Sequence, residues 1–147
     1  MRPPLKVYLC GSISDQQKHI AWRQQAEREL RSLVPTTGFH VLNPLRYQDP
    51  VNFSQDGLHD STVSDSFMAD VDMMDVARAD VLLVVFWKQE RQSVGTWMEM
   101  GAAAVARKPI VLVTNDPLVA DHPFIHRFAS VVCKTVEEGI AWVQRIA

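Results

Sequence analysis

The sequence predicts a doubly wound α/β sandwich built on a five-stranded parallel sheet, and three observations predict it. Short β-prone runs alternate with stretches of helical periodicity along the 147 residues. The run VLLVVFW, residues 81 to 87, is apolar at every position, as in a strand covered on both faces by helices. A hydrophobic content of 47% supplies one full core, while the length is too short for two ordinary domains, so residues 1–147 read as a single domain.

The elements follow in order. Lys6 to Cys10 is an apolar β-prone run stopped by Gly11-Ser12. Asp15 to Leu33 then carries Ile20, Ala21, Ala26, Leu30 and Leu33 at helical spacing. Phe39 to Leu42 reads as a second strand that ends at Asn43-Pro44, because the residue before a proline is pushed out of helical geometry. Residues 46 to 63 are polar and aperiodic, and a loop of that length in a compact domain is expected to cover something. Ser64 to Arg78 reads as a helix with its apolar arc at Phe67, Val71 and Met74, and the all-apolar strand follows it. Residues 93 to 107 form the next helix, Pro109 to Val113 the next strand, Ser130 to Cys133 a last short strand, and Val136 to Ile146 a closing amphipathic helix.

Composition excludes several function classes. Fifteen basic against 17 acidic residues give a net charge of -2, without the excess that would neutralise a polynucleotide backbone. The longest apolar run has seven residues, whereas a membrane span needs about 20, so neither a nucleic-acid polymer nor a membrane is expected as a partner. The first residues carry no secretory pattern, and Cys10 and Cys133 form no metal or redox spacing. Buried free thiols and a cytoplasmic location are expected. The turn Gly11-Ser-Ile-Ser is not GxGxxG, and no GxxxxGK[ST] occurs, so no NAD or ATP site and no cofactor is expected. The five histidines show no ligand spacing, and no metal is expected.

In a doubly wound sheet ligands bind beyond the carboxyl ends of the strands. That rule selects the turn after the first strand, with Tyr8, Gly11 and Ser12, the polar loop after the second, and the segment from Ser93 to Thr96 that enters the helix after the third. Glu99 falls in the predicted first turn of that helix, where free N–H groups and the helix dipole would keep it ionised. Its helical neighbours Gly95, Thr96, Ala102 and Ala103 are all small and would leave a slot for a ligand. The same spacing, Thr96-Trp-Met-Glu99, also fits a capping box, in which the glutamate merely bonds the cap residue's N–H.

On the preceding helix, with Phe67 at zero, Asp70 falls about 60° to one side of the apolar arc, Asp75 about 80° to the other, and Asp72 about 140° away. Asp72 is thereby expected in solvent, and Asp70 and Asp75 at the borders of the buried face, where a carboxyl can hold a proton near neutral pH. Both border acids also fit as plain surface charge. Tyr8 equally fits as a core aromatic with its hydroxyl at the rim. Ser12 and Ser93, in adjacent strand-to-helix loops, could together hold a 5′-hydroxyl or a phosphate. Trp22, Trp87, Trp97 and Trp142 read as core or contact aromatics, Trp97 being a candidate for a subunit contact.

The opening VYLCGSI, the Asn-Pro after the second strand, the acidic helix running into ARADVLLVV, and SVGTWMEMGAA followed by KPIVLV together resemble the nucleoside 2-deoxyribosyltransferase superfamily, which includes nucleotide N-glycosidases. The most specific piece is G-x-x-x-E-x-G at Gly95, Glu99 and Gly101. The resemblance implies a flavodoxin-like three-layer sandwich, with Glu99 attacking the anomeric carbon of a deoxyribose, Asp70 protonating the departing base and Tyr8 orienting the nucleophile. It also implies a small nucleoside or nucleotide and a free nucleobase as partners. The assembly implied is a homodimer or larger even homo-oligomer whose sites are completed by a neighbouring subunit, with Ser130 in the region that reaches across.

Ser93 departs from the aspartate with which transferases of free nucleosides often grip the 5′-hydroxyl, and is similar to enzymes that cut nucleoside 5′-monophosphates. A serine tolerates a phosphate that an aspartate would repel. Ser14, however, stands where some monophosphate enzymes carry a basic residue. The expected activity is a 2-deoxyribosyltransferase working through a covalent glutamyl-deoxyribosyl intermediate. A nucleoside 5′-monophosphate N-glycosidase is the alternative, and a non-catalytic nucleotide-binding module that uses Glu99 as a cap is a third reading.

Overall fold

The computed structural model describes residues 3–12, 16–31, 39–47, 65–88 and 93–146. Strands β1 (Lys6–Gly11), β2 (His40–Leu42), β3 (Val81–Phe86), β4 (Ile110–Thr114) and β5 (Val131–Cys133) form one parallel sheet in the order β2-β1-β3-β4-β5. Among the described residues the helices are α1 (Gln16–Arg31), α2 (Asp65–Arg78), α3 (Val94–Val105), α4 (Pro117–Ala120), α5 (Pro123–Phe128) and α6 (Val136–Ile146), with a 3-10 turn at Pro44–Tyr47. This is the predicted doubly wound sandwich with the flavodoxin-like strand order, whose switch point falls between β1 and β3. Residues 48 to 64, which hold most of the predicted polar loop, lie outside the described residues.

Strand alternation divides the core in two. Val7 and Leu9 of β1 join Leu83 and Val85 of β3 and Val111 and Val113 of β4 under α1 and α6. Tyr8 and Cys10 join Leu82, Val84 and Phe86, with Leu112 of β4, under α2 and α3. Helix α6 lies so close to the sheet that a Cβ on Gly139 would stand 2.5 Å from Val113 Cγ2. Gly11 has a comparable constraint: its φ is 157°, and a Cβ there would stand 2.7 Å from the Val85 carbonyl oxygen of the neighbouring strand.

Two features fix α2. Asp75 is buried, and its carboxylate oxygens meet Arg46 Nη2 at 2.5 Å and Arg78 Nη2 at 2.6 Å, which ties the helix to the 3-10 turn. At the helix C-terminus the Lys108 ammonium donates to the carbonyls of Val76, Ala77 and Ala79 and satisfies groups the helix leaves open. Lys108 is aimed there by the turn after α3, where Arg107 takes a φ of 58°.

The phase of α2 differs from the sequence expectation. Met68, Asp75, Val76 and Ala79 are buried and Asp72 is partly buried, whereas Phe67 and Met74 are 51% and 65% exposed. The inner face is therefore centred about 120° round the helix from Phe67. The expectation that Asp72 stands in solvent and Asp70 borders the buried face is corrected accordingly: Asp72 lies within the inner face, and Asp70 is exposed on the opposite side. The sequence reading also assigned no element to residues 115 to 129, where α4 and α5 lie. Each starts with a proline after a cap, Asp116 Oδ1 accepting from Leu118 N at 3.0 Å and His122 Nδ1 from Phe124 N at 3.2 Å.

Gly11→Ala is expected to destabilise the protein by about 2 kcal/mol through overpacking against the Val85 carbonyl, read from urea unfolding. Asp75→Asn is expected to cost about 3 kcal/mol by leaving two arginines without their carboxylate, and a variant as stable as the parent would show that the pins are idle.

Candidate functional site

The switch point brings β1, β3 and the start of α3 together. Helix α3 begins at Val94, with Ser93 as its cap: Ser93 Oγ accepts from Thr96 N at 3.4 Å and lies 2.5 Å from Thr96 Oγ1. Glu99 therefore sits in the second turn. Both its first-turn placement and the capping-box alternative are corrected, because the helix begins three residues earlier than that box requires.

Glu99 points at the sheet rather than along the helix axis. Because Tyr8 and Cys10 share one face of β1, both reach it: the Cys10 thiol donates to Glu99 Oε2 at 3.0 Å, and the Tyr8 hydroxyl bonds the same carboxylate. The other oxygen, Oε1, lies toward Gly95, where a Cβ would stand 3.9 Å from it.

Electrostatics separate the two acids. Burial raises Glu99 above the usual carboxylate range, opposed by the bonds from Cys10 and Tyr8 and by the charge of Arg23. The expectation that Glu99 titrates low is corrected, because it has left the helix terminus for the protein interior. Asp72 is pushed up to about 7, first by burial and then by the charges of Glu99 and Asp75, against Arg46 and Arg23. Burial also pushes the Tyr8 phenol and the Cys10 thiol well up, so both stay protonated as donors.

Arg23 supplies the positive charge. It is fully buried on α1 and donates to the carbonyls of Gly11 at 2.9 Å, Ser12 at 3.2 Å and His19 at 3.3 Å. It thereby holds the turn after β1 from beneath, with Ser12 buried in that turn. Gly11 and Ser12 thus lie at the carboxyl end of β1 and Ser93 enters α3 after β3, while Tyr8 reaches Glu99 from within the strand. Ser130 does not join them: its hydroxyl accepts from Ile110 N at 3.1 Å, at the amino end of β4.

Asp72, Cys10 and Arg23 were not identified as site residues by sequence reasoning. Cys10 had a usable signal, its even spacing from Tyr8 in one strand. Arg23 and Asp72 had none, since a buried guanidinium in a polar helix and the true phase of α2 depend on packing. Trp97 lies against Phe86 with ring centroids 4.9 Å apart. It lines an apolar cavity of about 630 Å³ between α3 and the α4–α5 segment. Among the described residues no group of three metal-ligating side chains occurs, and no helix is long and apolar enough to cross a membrane. Cys10 and Cys133 are both buried free thiols.

Known structures share this architecture. A 2-deoxyribosyltransferase from Bacillus psychrosaccharolyticus is similar with a TM-score of 0.67 at 20% identity, over 90% of this chain and 88% of that one. A 2-deoxyribosyltransferase from Leishmania mexicana gives 0.65 at 15% identity, over 97% and 98% of the two chains. A CMP N-glycosidase from Clostridium botulinum gives 0.56 at 16% identity, over 95% and 98%. Identities this low speak for the fold alone. Among curated proteins none matches the sequence. The family described as "Nucleoside 2-deoxyribosyltransferase like" matches residues 4–117, which include the turn after β1, Asp72 and the whole of α3. By that match, the chain belongs to the nucleoside 2-deoxyribosyltransferase-like family.

Proposed function

We propose that the protein is an enzyme that cleaves the N-glycosidic bond of 2′-deoxynucleosides and transfers the sugar to another nucleobase. The observation that carries this reading is the pairing of Glu99, held by two donors beside Gly95, with Asp72, an acid raised to about 7 partly by Glu99's own charge. A glycoside needs those two roles, a carboxylate to capture the oxocarbenium-like centre and an acid to protonate the leaving group.

A Glu99 oxygen bonds the anomeric carbon as the C–N bond breaks, and the electron pair of that bond leaves with the base, which takes the proton of Asp72. In the second half a nitrogen of the incoming base opens the glycosyl ester and Asp72 recovers a proton. Asp72 replaces Asp70 in this scheme because Asp70 lies on the exposed side of α2. A role for Glu99 as a mere helix cap is incompatible with Ser93 occupying that position.

A second reading has one observation in its favour. Residue 93 is an uncharged serine at the start of a 12-residue helix, which a 5′-phosphate tolerates, and water in place of the second base would make the enzyme a monophosphate N-glycosidase. Incubation with deoxyinosine, dCMP and dGMP, each with and without adenine, separates the two. Transfer is expected as deoxyadenosine formed from deoxyinosine, and base release from dCMP or dGMP without exchange would favour the second reading.

Glu99→Gln is expected to lower turnover at least 1,000-fold, roughly the loss of a covalent nucleophile, with the fold intact by circular dichroism. The pH profile should rise as Glu99 ionises and fall as Asp72 loses its proton near pH 7. Asp72→Asn should lower turnover by roughly 100- to 10,000-fold and abolish the alkaline limb. The same variant tests linkage. A carboxyl raised on folding contributes stability that is present below its unfolded pKa and lost as pH rises through about 7. Asp72→Asn should therefore stabilise the fold at pH 8 by on the order of 1–3 kcal/mol and by nothing near pH 3, read from melting curves at both pH values.

An even homo-oligomer fits the same reading. Phe67 and Met74 on α2, Val94 and Met98 on α3, and Leu118 and Phe124 on the α4–α5 segment are all exposed, placing six large apolar side chains on the surface of these helices. Ser130, at the amino end of the sheet, would act only in a neighbour's site. Light scattering is expected to give an even multiple of 16.6 kDa.

A further inference from the structure

Cys10 is fully buried, and its Sγ stands 3.0 Å from Glu99 Oε2, with a weaker approach of 3.9 Å to the Thr96 carbonyl. A thiol is a weak donor, and placing one against a carboxylate in the interior constrains the rotamer and favours the charged form, though less than a hydroxyl would. The contact also divides the two oxygens: Oε2 is tied to β1, while Oε1 lies on the side of Gly95, which has no side chain to cover it. Resting on the glycosyl-transfer reading above, we propose that Cys10 is a positioning residue for Glu99, whose thiol proton anchors Oε2 so that Oε1 is presented to the sugar.

The surroundings make the role testable by pH. Among the described residues, the titratable and charged groups that face Glu99 are Tyr8 and Cys10 from β1, Arg23 from α1 and Asp72 from α2. The adjoining strands β3 and β4 carry none. Among the influences that oppose burial and favour the ionised glutamate, the bond from Cys10 is the largest. Its loss must raise the pKa of Glu99, because the charged form loses a donor.

The experiment compares the full-length protein with Cys10→Ala and Cys10→Ser. The carbon-13 carboxyl titration of Glu99, assigned with Glu99→Gln, is followed in parallel with the pH dependence of kcat/KM. Cys10→Ala is expected to move the Glu99 titration and the acid limb together to higher pH by about half to one unit. On that limb this is a loss of about three- to ten-fold that recovers as pH rises. Cys10→Ser, which keeps a donor, is expected to return both to the wild-type position or below it. An unchanged titration in Cys10→Ala, or a shift of the same sign and size in Cys10→Ser, would overturn the inference.

A further readout needs no Cys10 variant to fold. The Cys10 S–H stretch in the infrared spectrum should lie at lower frequency in the wild type than in Glu99→Ala, and identical bands would count against the bond. The two readings fail separately. Absence of any base release or exchange refutes the glycosyl-transfer reading, while the carboxyl titration still decides whether Cys10 governs Glu99.

Discussion

A carboxylate taken into a protein interior has to find donors and an opposing charge there, and the site depends on how this one does so. Glu99 lies over the sheet, not at a helix end, so its partners come from the strand beneath. Alternation along β1 delivers two of them, a phenol and a thiol two residues apart on one face. The next residue, Gly11, faces α1 and is the point at which Arg23 approaches the strand end from the other layer. One short strand thus supplies hydrogen bonds on one side of the sheet and receives a cation on the other.

The same arrangement explains why the second acid behaves differently. Asp72 shares the buried layer with Glu99, and after the cost of burial the glutamate's charge is the largest influence holding its proton. Two carboxyls in one environment cannot both ionise cheaply, and here the better-bonded one yields its proton first. Asp75, a turn further along α2, is instead met directly by Arg46 and Arg78.

The architecture was legible because its signals are strong locally. An all-apolar run such as Val81 to Phe86 admits little but a central strand, and the spacing of Ile140, Val143 and Ile146 defined α6 to the residue. That Gly11, Ser12 and Ser93 would follow the carboxyl ends of β1 and β3 came from the alternation of strands and helices alone. The phase of α2 was not legible, because amphipathic logic assumes that apolar residues point inward. Here Phe67 and Met74 are exposed, whereas Asp72 and Asp75 face the sheet, one toward the site and one toward its arginine partners. The helix start near residue 93 was legible, but Glu99 was placed a turn too early because Ser93 and Thr96 are both acceptable caps and only the backbone decides between them. Helices α4 and α5 are too short to show periodicity, although Asp116-Pro117 and His122-Pro123 mark their starts.

Lys108 gives the molecule a mechanical link between two segments that the chain keeps far apart. Its ammonium grips three carbonyls at the end of α2 from the turn that leads into β4, so the rotation of α2 about its own axis is locked to the exit of α3. Asp72 rides on the first helix and Glu99 on the second. Their relative orientation is consequently set by a lysine outside the pocket, and insertion or deletion of a single residue in that turn would detune the pair without touching either acid.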